Sequence, residues 1–393
     1  MKPKTPRDFS PESLGHLSLL PVRWRPNGSG TDDAGSAGRR TIMFADVVPT
    51  VSPQVLSHPH SNEKTFDEVF ERVTSQAELA LPDQVLPLSR LRATDEGSIE
   101  VPGLGQLGLT IWSRRQLANL LGIRWDRWFA SDLVAPADRA EEINRRFRAS
   151  SGEWKIRARR CAPDESAAGD AVLRAFVSPT YAPIDDLPVF ETLGRVLAGQ
   201  LDDLRFVRMD MTPQSSQYAV VSTAEVDLGV RGADHHRNGF LIANSEVGAR
   251  SLSILTWILR LICSNGLIAQ AAQVFRMIHR RRKDDALDGR LANAFKLLPE
   301  KWSQAEAMLR RAREDTLEDP GMALDVLIEA NPHLRPMSQA VHEAFEEDPE
   351  LNRFGIVQAL TRAAQRFAPE QRLMMEEFAG QLAARAPMRE VEF

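Results

Sequence analysis

Regular hydrophobic spacing starts near Thr65. Phe66, Val69, Phe70 and Val73 recur at helical intervals, which gathers them into one stripe of an amphipathic helix. A short strand, Ser98 to Val101, then meets a turn at Pro102 and Gly103. Ser113 to Leu121 reads as a helix with Leu117, Leu120 and Leu121 inward, and Gly122 closes it, because glycine takes the left-handed conformation without a Cβ penalty. Asp138, with Glu141 three residues on, can cap a further helix running through Phe147. The period then drops to two. Trp154 to Arg160, Ala171 to Val177, Leu204 to Met211, Gln217 to Ser222 and Phe240 to Ala243 read as strands. Between the second and third of these, Asp185 or Asp186 opens a helix containing Val189, Phe190, Leu193 and Val196.

Ser251 to Cys263 is apolar nearly all round, with only Ser253, Thr256, Arg260 and Ser264 on a polar stripe. Such a pattern predicts a buried helix, ended by Asn265 and Gly266. Beyond about Ala286 strand signals vanish, and helical patterns run through 291–298, 302–312, 322–328, 337–345, 354–367 and 372–384. The expected fold is therefore α+β, an antiparallel or mixed sheet packed on helices that include a buried one at 251–263, followed by an all-helical C-terminal region. Residues 1–65 read as a flexible arm, since PNGSGTDDAGSAGRR from Pro26 to Arg40 cannot bury enough apolar surface to order itself. Residues 66–285 form the expected α+β core and 286–393 the helical region.

Composition adds limits. The chain has 393 residues, 43% hydrophobic, with a formal net charge of −5, so it is not a uniformly basic wrapper of polyanions. Residues 286–393 hold 13 basic and 19 acidic side chains, whereas the preceding 285 hold 36 and 35. Two cysteines, Cys161 and Cys263, can form neither a disulfide framework nor a four-thiolate zinc site. No apolar run approaches the roughly 20 residues of a spanning helix, and the basic stretch Met1 to Arg7 lacks an apolar follow-on, so a cytoplasmic protein without membrane contact is expected.

The candidate chemistry is mostly negative. Gly103, Gly105 and Gly108 spell G-x-G-x-x-G, but the preceding strand is short and polar and no βαβ unit surrounds it, so a hairpin is the better reading. Asp234-His235-His236 reads as a solvated loop, since adjacent histidines on extended chain point apart. No P-loop and no nucleophile elbow occurs. No catalytic residue, metal or cofactor is therefore expected. The basic segments carry more content. Asn144 to Arg160 holds seven cations, Arg145, Arg146, Arg148, Lys155, Arg157, Arg159 and Arg160, against Glu153 alone. On a strand Lys155, Arg157 and Arg159 share a face at about 6.6 Å spacing, near the phosphate repeat of extended single-stranded nucleic acid. Trp125, Trp128 and Trp154 would supply stacking surfaces beside them. Arg276, His279, Arg280, Arg281, Arg282 and Lys283 form a second cluster.

Several segments together resemble a known family. Arg115 to Ile123 ends in L-G-I; Arg174-Ala175 leads through Ser178 to Tyr181; Asn244-Ser245-Glu246-Val247-Gly248 is followed by Cys263-Ser264-Asn265-Gly266; and Gly355 to Arg362 carries Gln358 where an Asn is usual. These resemble the phage/plasmid-type domain of unknown function DUF932, over about residues 66 to 385. The resemblance implies a cytoplasmic protein of mobile elements, with no reaction or cofactor attached. It draws attention to Asn244, Ser245, Glu246, Gly248, Arg260, Asn265 and Gly266. As a helix start, Asn244 and Ser245 would cap and Glu246 would face the positive end, and a buried Arg260 would need an acidic partner, Glu246 or an aspartate of the core. The leading functional expectation is a non-enzymatic protein binding single-stranded DNA in plasmid or phage DNA metabolism; its oligomeric state is not read from the sequence, although a homo-oligomeric ring or filament would suit strand annealing. Two other readings stand beside it. One is a small-ligand binder or enzyme using the Asn244–Gly248 turn as an anion site; the other is a scaffold whose acidic C-terminal helices dock a protein.

Overall fold

The computed structural model describes residues 63–124, 134–162, 170–227, 235–261, 265–279 and 287–385. The glycine- and serine-rich arm, Trp125, Trp128, Asp234, Cys263 and the Arg280–Arg282 triplet lie outside the described residues.

The chain enters through helix α1 (Phe66–Ala77), whose Thr65 and Glu68 satisfy each other's backbone amides in a capping box. Six strands then build a first sheet: β1 (Gln84–Pro87), β2 (Arg92–Ala93), β3 (Ile99–Val101), β4 (Gly105–Leu109), β5 (Glu153–Arg160) and β6 (Ala171–Val177), in the order β1-β5-β6-β4-β3-β2. Only β4 and β6 run parallel. The G-x-G-x-x-G stretch is the β3–β4 hairpin, with Gly103 and Gly105 at φ of +80° and +81°. Helices α2 (Ile111–Leu121) and α3 (Pro136–Ala149) cover one face of this sheet. Gly122, at φ +61°, ends α2 as expected. Asp138, by contrast, is not a cap: α3 starts two residues earlier at Pro136, and Asp138 falls in its first turn.

A second sheet is an antiparallel meander of β7 (Leu204–Met211), β8 (Ser216–Asp227), β9 (His235–Asn244), β10 (Leu252–Arg260) and β11 (Asn265–Met277). The predicted buried helix at 251–263 is thus wrong. The segment is strand β10, paired on both sides, and all nine of its residues are buried. A strand with both faces covered has no polar side, so its pattern matches that of a buried helix; Ile254, Thr256, Trp257 and Ile258 suit the pleated form. Asn265 and Gly266 open β11 opposite Arg260 and Leu259 instead of ending a helix. His235 and His236 also lie on a strand, and His236 is buried within it.

Helices fill both faces of the meander. On one face α1, α4 (Asp186–Val196) and the start of α5 (Leu287–Glu314) pack Val73, Phe190 and Leu291 against Tyr218, Phe240 and Ile254. On the other face the C-terminal helices α6 (Pro320–Ala330), α7 (Ser338–Glu347), α8 (Arg353–Ala364) and α9 (Pro369–Ala384) enclose Leu241, Leu255 and Trp257. The α+β class and the helical C-terminal region are as expected. Pro299 does not separate two helices, however; it lies inside α5. Among the described residues no helix is long and apolar enough to cross a membrane.

Candidate functional site

Strand periodicity puts Ile156 and Ala158 of β5 into the core shared with α2 and α3, which turns Lys155, Arg157 and Arg159 to the opposite face. That face is not open to solvent at Arg157. The segment 181–186 and the turn between β9 and β10 lie against it, leaving Arg157 7% exposed. Its Nη1 and Nη2 donate to the Asp185 carboxylate at 2.8 and 3.0 Å, and its Nε donates to Asp83 Oδ1 at 3.0 Å. Nη1 also donates to the Glu246 carbonyl. Lys155 Nζ is spent on the Tyr181 carbonyl at 2.5 Å, and Arg159 Nη1 donates to the Arg160 carbonyl at 3.3 Å. The row of three cations expected to track phosphates is, at its centre, an internal ion pair. A guanidinium with this many oxygen acceptors is held for the fold.

The motif residues Asn244, Ser245, Glu246 and Gly248 come together at the same junction, in a turn with no helix after it. Asn244 Nδ2 donates to Asp186 Oδ1 at 2.7 Å and to the Ile184 carbonyl at 2.8 Å. The Tyr218 hydroxyl donates to Asp186 Oδ2 at 2.8 Å. Ser245 Oγ donates to the Gln214 carbonyl at 2.6 Å and accepts from the Ala249 amide. Glu246 takes Arg174 Nη1 on one oxygen at 2.6 Å and the Asp186 amide on the other at 3.0 Å. Gly248, at φ +79°, lets the chain reverse beneath the Tyr181 ring, which stands 3.4 Å from where a Cβ would be. The expected cap-and-dipole role of Asn244, Ser245 and Glu246 is therefore replaced. They bind the start of α4 to the first sheet through Arg157 and Arg174.

Electrostatics follow from this burial. Removal from water, then the Glu246 charge, pushes the Asp186 carboxyl up to about 6. Burial would raise Glu246 as well, but Arg174, the Asp186 amide and Arg157 together hold it below its ordinary value. His279 stacks on Tyr181 at 5.3 Å between ring centres, and its Nδ1 accepts the Ile184 amide at 3.0 Å. Burial, then the nearby Arg157 cation, lowers it to about 4, so it is a neutral acceptor near pH 7. Asp185, Asp186, Arg174, Tyr181 and Tyr218 carry this junction and were not singled out as site residues, while His279, read as part of the second basic cluster, is instead a buried neutral member of it. Arg174 and Tyr181 did carry a signal, as the ends of the R-A…S-x-x-Y stretch.

Arg260 lies at the far end of β10, away from Glu246. Its guanidinium approaches Asp348 at 3.7 Å and Glu350 at 3.8 Å, donates to Gln358 at 3.2 Å, and sits over the Phe354 ring. The Glu246–Arg260 pair does not form; the acidic neighbours of Arg260 are Asp348, which is partly exposed and not a core aspartate, and Glu350.

A different basic surface emerges on α2 and α3. Residues 111–124 and 134–149 carry seven arginines, at 114, 115, 124, 139, 145, 146 and 148, against Asp138, Glu141 and Glu142. Arg145 and Arg146 share Glu142 at 2.7 and 2.6 Å, and their hydrogen bonds hold that part-buried carboxyl down at about 2. Arg146 Nη1 also donates to the Leu121 carbonyl at the end of α2. Arg145 and Arg148 are exposed. In the second cluster Arg276 is exposed and donates to Ser251 Oγ at 2.9 Å.

A family model described as "Domain of unknown function (DUF932)" matches residues 174–391. The chain belongs to the DUF932 family. In this member the match opens on Arg174, the partner of Glu246, and takes in all of the second sheet and the C-terminal helices. The α2–α3 arginine surface lies ahead of it. Neither the curated proteins nor the solved structures contain a match. Among the described residues no cluster of three His, Cys, Asp or Glu side chains could hold a metal ion.

Proposed function

We propose that this DUF932 chain is a non-enzymatic protein that binds single-stranded DNA, in plasmid or phage DNA metabolism as the family resemblance implies, through the outer surface of α2 and α3. The observation that carries the reading is the arginine excess on and beside that helix pair, where Arg115, Arg124, Arg145, Arg146 and Arg148 stand against three carboxylates even with Arg114 and Arg139, which line a cavity, set aside. Arg145 and Arg148 stand exposed on the outer side of α3. Their charge is spread along a helix whose inner residues, Ala140, Ile143 and Phe147, anchor it to the sheet. Guanidinium groups on a fixed helix present paired donors to phosphate oxygens, and affinity of this kind is set by counterion release. Arg157 has no part in it, because its donors are committed inside.

The test is fluorescence polarisation of a labelled oligothymidylate across a salt series. Affinity should fall with salt, at about 0.7 decades per decade of salt for each phosphate contacted. Arg145→Glu with Arg148→Glu should abolish the low-salt binding while the melting temperature stays put. Absence of binding at low salt, or binding indifferent to this double change, overturns the reading. Duplex DNA binding with equal strength would move the assignment from single strands to nucleic acid in general.

A further inference from the structure

A cavity of about 160 Å³ opens between α2, α3 and the β2–β3 hairpin. Its floor is apolar, made by Ile99, Leu109, Ala140 and Ile143. Two guanidiniums enter it from different helices, Arg114 of α2 and Arg139 of α3. Arg139 Nη2 donates to the Val134 carbonyl at 3.1 Å. Among the described residues no carboxylate comes within ion-pair distance of Arg114, although Asp95 and Glu96 of the hairpin line the rim; Glu96 is taken up by Gln106 at 2.7 Å.

This placement is costly without an occupant. Arg114 is half-buried, and burial and the neighbouring Arg139 cation both depress it from the ordinary guanidinium value. Arg139 adds like-charge repulsion to Arg114, and Arg114, partly desolvated with no carboxylate in ion-pair distance among the described residues, carries a standing penalty. The start of α3 adds to the positive field. Pro136, its first residue, lines the cavity, and Ala135 at the N-cap has no side-chain oxygen for the first-turn amides.

We propose that this cavity is a binding site for a small organic anion, a carboxylate or phosphate on a compact apolar body, gripped by Arg114 and Arg139. The volume is that of about five liquid waters, below the roughly 300–1,000 Å³ of drug-sized sites. A whole nucleotide is too large, whereas one anionic group with a small apolar part fits. The phosphate could come from a free metabolite or from the end of a nucleic-acid strand. The site does not depend on the α2–α3 surface binding DNA, since Arg145 and Arg148 are absent from its lining.

Isothermal titration of the full chain with benzoate, phenyl phosphate and orthophosphate, in low-chloride buffer, tests the site. At least one probe should bind in the wild type and raise its melting temperature by mass action. Arg114→Gln should weaken that binding about tenfold or more, the loss expected of a charge-assisted bond, and should leave the unliganded protein as stable as before or more so. Ala140→Leu keeps both arginines and fills the cavity, so it should abolish binding in a folded protein. Competition by a 5′-phosphorylated trinucleotide, but not its 5′-hydroxyl counterpart, assigns the anion to a strand end; no competition assigns it to a free anion. The proposal is overturned if no probe binds at millimolar concentration, or if binding survives both substitutions.

Discussion

Replacing Arg157 by Met is the sharpest probe of the junction between the two sheets. Methionine keeps an unbranched apolar stem and deletes the guanidinium, so four hydrogen bonds to Asp83, Asp185 and the Glu246 carbonyl vanish together. Gross charged hydrogen bonds of 1.5–3 kcal/mol each would overstate the loss, because desolvating the arginine offsets much of it. Breaking one side of a buried pair costs about 3–5 kcal/mol. The Asp185 and Asp83 side chains keep 36% and 26% of their exposure and can rehydrate, which favours the lower end, about 3 kcal/mol. Equilibrium urea unfolding followed by tryptophan fluorescence reads this directly. With a slope of about 3 kcal/mol/M, the midpoint should drop by about 1 M. Asp185→Asn in the Arg157→Met background should cost much less than in the wild type, as contacting residues couple. Lysine at 157 should not rescue, because a point charge cannot reproduce the fork. A midpoint shift below about 0.2 M would mean that the guanidinium is solvated, and would return Arg157 to the surface.

Asp186 should impose a pH dependence. Its folded carboxyl titrates near 6 instead of 3.8, chiefly through burial and then through Glu246. The folded state thus holds the proton more tightly, so this group's contribution is greatest below about pH 4 and is lost as pH rises through 6. The stability of wild type relative to Asp186→Asn should fall by about 1 kcal/mol between pH 5 and 7, measured by urea titration at each pH; a rise over that range would contradict the assigned burial. Gly239→Ala should cost about 3 kcal/mol or more. A Cβ there would sit 2.0 Å from the Val220 carbonyl oxygen in the middle of the meander, and an unchanged melting temperature would show that the two strands can part.

Legibility differed by element. Helices α1 and α2 were plain because each carries an apolar stripe and, for α2, a terminal glycine agreed with it. Strand β10 was not, because its polar Ser253, Thr256 and Arg260 also fall on one helical stripe. Nothing local distinguishes the two when every residue is buried. Arg157 shows a second limit. Period two placed it correctly on the face opposite Ile156, but which face meets solvent depends on a turn nearly ninety residues away. The Asn244–Gly248 stretch was legible as important and misread in its role, since a cap and a tight turn use the same residue types. The Arg114–Arg139 cavity had no signature at all: each arginine alone looks like an ordinary charged helix position.

Helix α5 serves as a wall of both hydrophobic cores. Leu291, Ala294 and Leu298 belong to the one behind α1 and α4, while Ala305, Met308, Leu309 and Ala312 belong to the one beneath α6–α9. Pro299, with no amide to donate, lies where allegiance changes. Neither core can melt without stripping half of a shared helix from the other. Sub-global opening that frees one layer alone is thereby suppressed, and amides at the two ends of α5 should exchange with solvent at closely similar rates. A helix that reads as two segments in sequence thus makes the layers on either side of the meander rise and fall as one.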